Sequence, residues 1–289
     1  MEKKVVFITG ASTGFGRATA ELLAQRGYRV FATMRDTAGR NAQPRHELES
    51  RGLDVLDLDV TDEGSVEQAV SQAFSRAGQI DVVINNAGFG NLGVTEAYTV
   101  DQFKLVYETN VFGAVRVNRA VLPSMRKRGT GLLIHVSSIA GRVTIPYMAL
   151  YCSSKYALES IADAYRSELA PFGVDSVVVE PGAFATPIFQ KPFFAEERAR
   201  EQEYGNLDYS RRIHETFEAE LSDPAALPVS EVAGVFLRII ETPAGERPFR
   251  THVGGGTEFL GPYNQIAEQI RQGTAEHFDI KETLVLNGR

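Results

Sequence analysis

Tyr151 and Lys155 are the two residues of this 289-residue chain whose types and spacing point most directly to proton chemistry. They stand at positions i and i+4, so on a helix both side chains lie on one face. A phenol with its ordinary pKa of about 10 is a weak base near neutral pH, and a neighbouring ammonium group favours the phenolate. The pair predicts a tyrosine that exchanges a proton with a substrate, although in many helices the same spacing reflects packing alone.

A glycine-rich turn lies near the start of the chain, between an apolar run at 5–8 and a helical pattern at 14–26. Its spacing, Gly-x-x-x-Gly-x-Gly, lets the backbone turn tightly and approach a phosphate, which the positive end of the following helix attracts. The turn lacks the Gly-Lys-Ser/Thr ending of a nucleoside triphosphate loop. We expect it to bind a pyrophosphate through Gly10, Ser12, Thr13, Gly14, Phe15 and Gly16.

Short apolar runs alternate with helical patterns over the first 185 residues. The runs that predict strands cover residues 5–8, 30–32, 53–56, 80–84, 132–136 and 177–179, and the helical patterns include 14–26 and 157–170. This alternation predicts an α/β fold, a parallel sheet with helices on both faces. We expect one doubly wound, Rossmann-type domain over residues 1–289, with its ligand at the carboxyl ends of the strands.

The pattern changes over residues 187–228, where charged helical stretches carry several aromatic side chains. We interpret this segment as an inserted helical lid over the substrate; a surface excursion or a contact between subunits fits the pattern too. A helix at 229–240 and a strand at 249–253 follow. Residues 257–289 are expected to be a C-terminal extension whose helix has an apolar face, which packs on its own subunit or on a partner.

The composition narrows the class of partner. Thirty Lys and Arg against 37 Asp and Glu give a net charge of −7, which argues against nucleic acid or an anionic membrane. No run reaches the roughly twenty apolar residues of a membrane span, and the start lacks the pattern of a signal peptide. Since a single cysteine excludes an intrachain disulfide, we expect a cytoplasmic protein.

Other reactive residues give weaker signals. The one cysteine, Cys152, stands beside Tyr151 and invites a redox or nucleophilic interpretation, but no base is adjacent to it in the sequence, and a packed thiol fits better. The five histidines have no metal-ligand spacing, so no metal site is expected. The sequence also has no Gly-x-Ser-x-Gly elbow of a serine hydrolase.

The chain resembles the short-chain dehydrogenase/reductase family in motifs that follow the family's order over residues 4–188. They are the turn at 9–16, Asp59-Val60, Asn85-Asn86-Ala87-Gly88, Asn110, Ser138, Tyr151-Cys-Ser-Ser-Lys155 and Pro181-Gly182-Ala-Phe-Ala-Thr186. Each motif alone is weak, and their joint occurrence in order carries the resemblance. The stretch 30–36 and the length also look like hydroxysteroid and retinol dehydrogenases of the family, by analogy only.

The resemblance implies a nicotinamide cofactor along the carboxyl edge of the sheet. Asp59 and Val60 would hold its adenine ring, and Thr186 would bond the nicotinamide carboxamide. Asp59 has a structural alternative as a helix cap, and the asparagines at 85–86 have one in fixing turns. The other cofactor positions that the resemblance implies are Asn86, Ala87, Gly88, Pro181 and Gly182.

With a nicotinamide cofactor, the Tyr151–Lys155 pair becomes a hypothesis about hydride chemistry. Reduction of a carbonyl leaves an alkoxide that needs a proton, which Tyr151 would supply as a general acid, or remove as a base in oxidation, with its pKa lowered by Lys155. Ser138 would donate a hydrogen bond to the substrate oxygen. The resemblance alone assigns to Asn110 a water that links Lys155 to solvent. Each residue also has a structural interpretation: Ser138 could end a strand, Asn110 could cap a helix, and Tyr151 could be a half-buried packing residue.

The end of the second strand decides between the two nicotinamide cofactors. A carboxylate there bonds the 2′-hydroxyl of NAD, whereas arginine pairs with the 2′-phosphate of NADP. By the resemblance, Thr33 stands where NAD-preferring members usually carry aspartate, and Arg35 follows within reach. A register shift would make Asp36 the ribose ligand, and Arg35 could be a solvated surface charge. We expect NADP(H), with NAD(H) as the alternative.

Two other classes of function share parts of the pattern. Related epimerases and dehydratases also use Tyr-x-x-x-Lys, but usually with a Gly-x-x-Gly-x-x-Gly turn and a larger C-terminal domain, neither of which this sequence shows. A non-catalytic, cofactor-sensing protein on the same scaffold would be expected to have a degraded catalytic set, and all four positions are intact.

The substrate wall is expected to come from residues 139–148 and the lid. Its apolar members are Ile139, Val143, Ile145, Tyr147 and Met148. This lining suits an apolar or aromatic alcohol or ketone. Members of the family are often dimers or tetramers through helices like those at 110–128 and 151–171, so we expect a homodimer or homotetramer.

Overall fold

Seven parallel strands form one sheet, and the computed structural model describes residues 3–184, 186, 188, 193–205, 209–222 and 226–286. The strands are β1 (Val5–Ile8), β2 (Arg29–Met34), β3 (Asp54–Asp57), β4 (Val82–Asn85), β5 (Gly131–Val136), β6 (Val174–Pro181) and β7 (Arg250–Val253). Their order across the sheet is β3-β2-β1-β4-β5-β6-β7. The predicted strands are confirmed to within a few residues at their ends.

Helices connect the strands and cover both faces of the sheet. They are α1 (Gly14–Gln25), α2 (Ala42–Ser50), α3 (Glu63–Ala77), α4 (Val100–Tyr107), α5 (Gly113–Arg128), α6 (Ala149–Leu169), α7 (Arg198–Glu203), α8 (Tyr209–Ser222), α9 (Ser230–Glu241) and α10 (Leu260–His277). Among the described residues, no helix is both long and apolar enough to cross a membrane.

The strand order explains where a ligand can bind. The chain starts in the middle of the sheet, builds β2 and β3 outward on one side, and then crosses to β4 on the other side of β1. The crevice where the order reverses, at the carboxyl ends of β1 and β4, is the switch point at which doubly wound sheets bind ligands. The expected doubly wound parallel fold is confirmed.

The core has two layers because both faces of the sheet are buried. Val6 and Ile8 of β1 pack toward α1 and α9, and Val5 and Phe7 pack toward α3 and α5. All four residues of β1 are buried. Burial of both faces is the reason why the strands are continuous apolar runs rather than alternating patterns.

The helix that carries Tyr151 and Lys155 is longer than the sequence pattern predicted. The pattern indicated a helix at 157–170, whereas α6 spans Ala149–Leu169. Its first two turns carry buried polar side chains, among them Tyr151, Ser154 and Lys155. Polar residues on the buried face interrupt the apolar period by which such helices are recognised, and they place the Tyr151–Lys155 pair inside the helix.

The C-terminal helix α10 contacts the sheet edge through a polar side chain rather than through its apolar face. α10 contacts the sheet edge through Asn264, whose Nδ2 donates to Glu180 Oε2 at 2.6 Å. Its apolar face points outward instead, with Ile266 58% and Ile270 64% exposed. α7 and α8 lie within the predicted lid segment 187–228, of which residues 187, 189–192, 206–208 and 223–225 lie outside the described residues.

Hydrogen bonds hold the switch point together. Asn86 Nδ2 donates to the carbonyl oxygens of Thr9 (2.9 Å) and Gly10 (3.0 Å). The Thr9 hydroxyl accepts the backbone N–H groups of Asn86 and Ala87, both at 3.0 Å. Gly10 has a φ of +68°, and a Cβ on it would lie 2.9 Å from Ala87 Cα. Both conformation and space therefore require glycine at this position.

We expect Gly16→Ala to destabilise the fold. A Cβ at Gly16 would lie 2.6 Å from Asn86 Nδ2 and from the Gly10 carbonyl oxygen, and such overpacking costs about 1–3 kcal/mol. Urea unfolding followed by circular dichroism measures the change. The matched control is Gly273→Ala in α10, where no atom lies within 4 Å and stability should rise by roughly 0.5–1 kcal/mol. Equal unfolding midpoints for the two variants would contradict the packing argument.

Candidate active site

Tyr151 and Lys155 lie on the first two turns of α6, as the sequence predicted, and both are almost fully buried. The exposed fractions are 5% for Tyr151 and 4% for Lys155. Lys155 Nζ lies 5.6 Å from the centre of the Tyr151 ring and donates a hydrogen bond of 2.8 Å to the Val136 carbonyl at the end of β5. The pair thus sits at the carboxyl edge of the sheet.

Burial sets the protonation of this pair. It raises the pKa of Tyr151 to about 12, and the hydrogen bond with Ser138 acts in the opposite direction. Desolvation is the larger effect on this pKa, and the expectation that Lys155 lowers the pKa of Tyr151 stays a prediction. Burial also lowers the pKa of Lys155 to about 8, against the attraction of Glu159. Near neutral pH the phenol holds its proton and the amine its charge.

Ser138 follows β5 and faces the Tyr151 hydroxyl. Its Oγ accepts the backbone N–H of Ala140 at 3.1 Å and so begins the short turn Ile139–Gly141. The residue is both a cap for this turn and a hydrogen-bond partner of Tyr151. The alternative that Ser138 only ends a strand does not describe its position.

Asn110 lies in a π-helical turn, Glu108–Phe112, between α4 and α5. Its Nδ2 donates to the Phe89 carbonyl and to Ser154 Oγ, and its Oδ1 accepts the Phe89 N–H, all at 3.0 Å. Both amide protons are therefore used within the protein. A Cβ on Gly88 would lie 3.1 Å from Asn110 Oδ1 and 3.7 Å from Lys155 Nζ, so Asn110 and Lys155 approach each other at Gly88.

A cleft of about 400 Å³, here called the switch-point cleft, runs along the carboxyl edge from the turn after β1 to Tyr151 and Lys155. The residues predicted to bind the cofactor that line it are Gly10, Ser12, Thr13, Gly14, Phe15, Arg35, Asp59, Val60, Asn86, Ala87, Gly88 and Thr186. Gly16 is buried behind the turn against Asn86 rather than in the lining.

The N-terminus of α1 opens onto this cleft. The first turn of α1, all of it described, carries no acidic side chain, and Thr13 at its start makes no capping bond through its side chain. The free N–H groups and the positive end of the helix are therefore available to an anion.

Arginines flank the other end of the switch-point cleft. Arg35 and Arg40 both line it, and both lower the pKa of Asp59. Asp36 takes no part in the lining; it has a φ of +55° and accepts the backbone N–H of Arg40 at 2.9 Å. The Asp36 side chain therefore does not lie where a ligand of the cofactor ribose would be expected.

The expected place of Thr33 is wrong by one residue. Thr33 is fully buried inside β2, with its hydroxyl donating to the Ile8 carbonyl at 3.0 Å, and Met34 is the residue that lines the cleft. Side chains of adjacent strand residues point to opposite faces, which explains the error. A thioether does not replace a carboxylate as acceptor for a ribose hydroxyl.

Asp59 is held in the cleft wall by its own turn. Its Oδ1 accepts the backbone N–H (2.9 Å) and the hydroxyl (2.7 Å) of Thr61. Burial acts to raise its pKa, but these hydrogen bonds and the nearby arginines lower it overall. The alternative that Asp59 caps α3 is wrong, because Asp62 accepts the Ser65 N–H at 2.6 Å in that role.

A second space of about 570 Å³, the apolar cavity, adjoins the switch-point cleft at Tyr151. Pro181 and Gly182 line this cavity rather than the cleft, as do Ile139, Ile145 and Met148 of the predicted wall. Val143 and Tyr147 do not line it. The residues that line both spaces are Phe15, Ser137, Tyr151, Thr186 and Ile188.

The lining of the apolar cavity is uncharged. Among its described residues, the side-chain hydroxyls belong to Ser137, Ser138, Tyr151 and Thr186. Apolar side chains such as Phe184, Phe217 of α8 and Leu227 form other parts of the wall. The cavity therefore combines apolar walls with a few hydroxyl groups, one of which is that of Tyr151.

A buried ionic cluster lies under the Ser138 turn. Arg142 Nε lies 3.4 Å from Glu180 Oε1, and Arg250 Nε lies 2.9 Å from Glu159 Oε2. Burial and the nearby Glu159 raise the pKa of Glu180 to about 7. The cluster joins the Ser138 turn, β6, α6 and β7 at a single point.

Several lining residues were not found from the sequence. Arg40 and Asn41 belong to the loop after Arg35. They are several residues beyond the end of β2 in the sequence, so no local pattern linked them to the cleft. Gly255 and Gly256 line the apolar cavity although they looked like a flexible joint. The close approach of Gly182 to Gly255, whose carbonyl oxygen would lie 2.2 Å from a Cβ on Gly182, is a tertiary contact without a local signal.

Cys152 and the histidines take no visible part in this site. Cys152 is buried, its Sγ contacts the backbone of Ile145, and burial raises the pKa of its thiol, as expected for a packed residue. His135 is fully buried in β5, which lowers its pKa to about 3. Among the described residues, no group of three or more His, Cys, Asp or Glu is placed to hold a metal ion.

Known proteins share this arrangement. Residues 4–197 match the short chain dehydrogenase family model. The chain is 37% identical to a 3-ketodihydrosphingosine reductase of Bacteroides thetaiotaomicron over 206 residues, 71% of this chain and 73% of the relative. It is 34% identical to the 17-beta-hydroxysteroid dehydrogenase type 1 of Homo sapiens over 258 residues, 84% of this chain and 76% of the relative.

Solved structures agree with the sequence relatives. An alcohol dehydrogenase from Thermococcus sibiricus in complex with 5-hydroxy-NADP superimposes with a TM-score of 0.69 at 28% identity, over 89% of this chain and 98% of that one. A 3-ketoacyl-(acyl-carrier-protein) reductase from Brucella melitensis in complex with NADH gives 0.73 at 25%, over 88% and 98%. The chain therefore belongs to the short-chain dehydrogenase/reductase family and is an NAD(P)-dependent dehydrogenase or reductase.

Proposed function

We propose that this protein interconverts an apolar ketone and its secondary alcohol, or an aldehyde and its primary alcohol, with NADP(H) as cofactor and Tyr151 as general acid and base. One observation carries the proposal. The switch-point cleft, with anion-binding features, and the apolar cavity, which is uncharged, share Tyr151 in their walls. A cofactor in one and a substrate in the other would meet at the phenol.

The residues of the switch-point cleft fit a dinucleotide phosphate. The helix terminus of α1 would hold the pyrophosphate. Arg35 and Arg40 would pair with the 2′-phosphate, and Asp59 with Val60 would border the adenine. Thr186 would bond the carboxamide, as the family resemblance suggests. A bound nicotinamide supplies or accepts the hydride; the protein supplies position and the proton.

The choice of NADP(H) over NAD(H) rests on the cleft wall at the end of β2. Met34 cannot accept a hydrogen bond from a ribose hydroxyl, and Asp36 is engaged with the backbone of Arg40. Two guanidinium groups line the same end of the cleft. This charge pattern favours a cofactor with an additional phosphate.

The catalytic roles follow from burial and hydrogen bonding. Tyr151, protonated near neutral pH, would donate its proton to the substrate oxygen during reduction. Ser138 would donate a hydrogen bond to the same oxygen as negative charge develops. Lys155, anchored on the Val136 carbonyl, would stabilise the phenolate left behind, and Asn110 would hold the neighbouring backbone of Phe89 in place.

The substrate class follows from the apolar cavity. Its uncharged walls favour an apolar carbonyl compound and disfavour phosphorylated or carboxylated ones, which would lose hydration without a partner. The substrates named for two relatives contain large apolar parts, the ring system of a steroid and the long alkyl chain of a sphingoid base. We propose residues 187–228 as the lid, because Phe217 of α8, Ala226 and Leu227 already wall the cavity.

The other expectations stay predictions. A homodimer or homotetramer is supported by half-exposed Phe112, at the start of α5, and by Tyr156 on α6. The cytoplasmic location and the independence from nucleic acid and membranes likewise stay predictions from composition.

We expect Tyr151→Phe to abolish most of the turnover, because it deletes only the hydroxyl that exchanges the proton. A panel of ketones with NADPH, including a 17-ketosteroid and 3-ketodihydrosphingosine, identifies the best substrate from the loss of NADPH absorbance. On it, the kcat of Tyr151→Phe should fall by about 10²–10⁴-fold. Tyr156→Phe on the same helix is the matched control. The mechanism is wrong if Tyr151→Phe keeps near-normal kcat.

We expect Arg35→Ala and Arg40→Ala each to weaken the binding of NADPH and not that of NADH. Each substitution removes a charge-assisted interaction with the 2′-phosphate worth about 1.5–3 kcal/mol. The KM for NADPH should rise by about tenfold or more while the KM for NADH stays the same. Arg45→Ala is the matched control, since Arg45 on α2 pairs with Glu49 and is absent from the cleft lining. If the ratio of kcat/KM with NADPH to kcat/KM with NADH is unchanged in both variants, the two arginines do not bind the 2′-phosphate.

We expect the two directions of the reaction to respond differently to pH. Tyr151 must hold its proton to act as acid in reduction and must have lost it to act as base in oxidation. Because burial raises its pKa to about 12, alcohol oxidation should accelerate as the pH rises from about 6 to about 10, while ketone reduction should stay nearly constant. Initial rates in both directions test this. Oxidation that is fastest at the acid end would overturn the assignment.

A further inference from the structure

The catalytic helix begins with an amide that needs an outside partner. α6 starts at Ala149, so Tyr151 is its third residue. The first N–H groups of a helix have no acceptor within the helix, and the third is the one that an N-cap side chain usually accepts from. The residue at the N-cap position here is Met148, whose thioether is a poor acceptor.

A side chain from another part of the chain supplies this acceptor. Asn91, in the loop after β4, is fully buried, and its Oδ1 accepts the backbone N–H of Tyr151 at 2.9 Å. The two residues are separated by 60 positions in the sequence. Asn91 lies in the walls of neither the switch-point cleft nor the apolar cavity as described.

We propose that Asn91 is a positioning residue for catalysis: it caps the N-terminus of α6 from a distance and thereby holds the Tyr151 hydroxyl beside Ser138. The inference rests on the proposed function, in which Tyr151 is the acid and base. It goes beyond that function because Asn91 touches neither substrate nor cofactor in the roles assigned above.

The frame around Asn91 is rigid enough to locate α6. The backbone of Asn91 pairs with Phe193 in an isolated parallel bridge, and the Tyr98 hydroxyl donates to the Phe193 carbonyl at 2.6 Å. The N–H of Gly93 donates to the Tyr147 carbonyl at 2.9 Å. One loop therefore contacts the chain just before α6, the first turn of α6 and the segment that follows residue 192.

The backbone just before α6 also depends on this loop. Tyr147 has a φ of +66°, a conformation that a residue with a side chain rarely adopts. Surrounding structure must hold such a residue in place, and the hydrogen bond from Gly93 is part of that structure. With Tyr147 and Tyr151 both fixed by the loop, the start of α6 has little freedom to shift.

Loss of the remote cap should act on chemistry more than on binding. Without the acceptor, the buried N–H of Tyr151 must find another partner, and the first turn of α6 shifts to provide one. A misplacement of about 1 Å in an active site costs about a hundredfold in rate. The Ser138 hydrogen bond, which lowers the pKa of Tyr151, should lengthen at the same time.

The experiment compares three substitutions at Asn91 in the full chain, with NADPH and the best ketone of the panel. Asn91→Ala removes the acceptor, Asn91→Ser shortens it, and Asn91→Asp keeps an oxygen at the same reach, which is favourable at a helix N-terminus. We expect kcat to fall by about tenfold to a hundredfold for Ala, less for Ser, and to return toward the normal value for Asp. NADPH affinity, measured by fluorescence, should not change.

Two readouts separate positioning from loss of folded protein. The rising limb of the pH profile of alcohol oxidation, and with it the pH midpoint, should move upward for Asn91→Ala. The deuterium isotope effect on kcat with 4-deuterated NADPH should increase, whereas a smaller folded fraction changes neither. Tyr204→Phe is the matched control, because it removes a hydroxyl that donates to Glu96 near the same loop rather than to Asn91; it should leave both the midpoint and the isotope effect in place.

The outcomes distinguish this proposal from the one on which it rests. Asn91→Ala and Asn91→Ser with normal kcat, pH midpoint and isotope effect overturn the positioning role while Tyr151→Phe remains inactive. If Asn91→Ala gives no folded protein, the Asn91→Ser and Asn91→Asp pair decides alone, since equal kcat and midpoint for these two overturn the role. If Tyr151→Phe itself retains turnover, the proposed function fails instead.

Discussion

The contact between the turn after β1 and the Asn86 side chain is the constraint on which the site depends. Asn86 bonds the carbonyl oxygens of Thr9 and Gly10, so two neighbouring strands end at one fixed distance from each other. The glycines at 10 and 16 make this distance short enough, because a Cβ on either would overlap the opposite segment. The N-terminus of α1 is thereby directed into the switch-point cleft, opposite the end of β5 and the first turns of α6.

The sequence predicted the fold and the proximity of Tyr151 and Lys155 well, for a physical reason. Strands buried on both faces leave continuous apolar runs, and a glycine-rich turn between a strand and a helix is a local pattern. Tyr151 and Lys155 are likewise close in sequence, and the structure places them together. Arg35 was found because it immediately follows β2.

What the sequence could not provide depends on tertiary contacts or on desolvation. Arg40 reaches the cleft only because the loop after β2 folds back. The sequence pattern placed Thr33 in the cleft wall, but the side chain that lines the cleft is that of the next residue, Met34. The lysine beside Tyr151 is visible in the spacing, whereas the burial that raises the pKa of the phenol is not. A spacing pattern gives the neighbours of a group and says little about how much water surrounds it.

The remote cap on α6 has a consequence for how the protein becomes active during folding. A helix capped by its own sequence can form its first turn early, but here the acceptor stands 60 residues upstream, beyond β5 and two helices. Because contacts of long sequence separation form only after the intervening chain has been ordered, the start of α6 is completed late. The body of the helix can be present before its first turn is in place, so a nascent or partly unfolded chain contains Tyr151 and Lys155 without the geometry on which the proposed acid–base role depends.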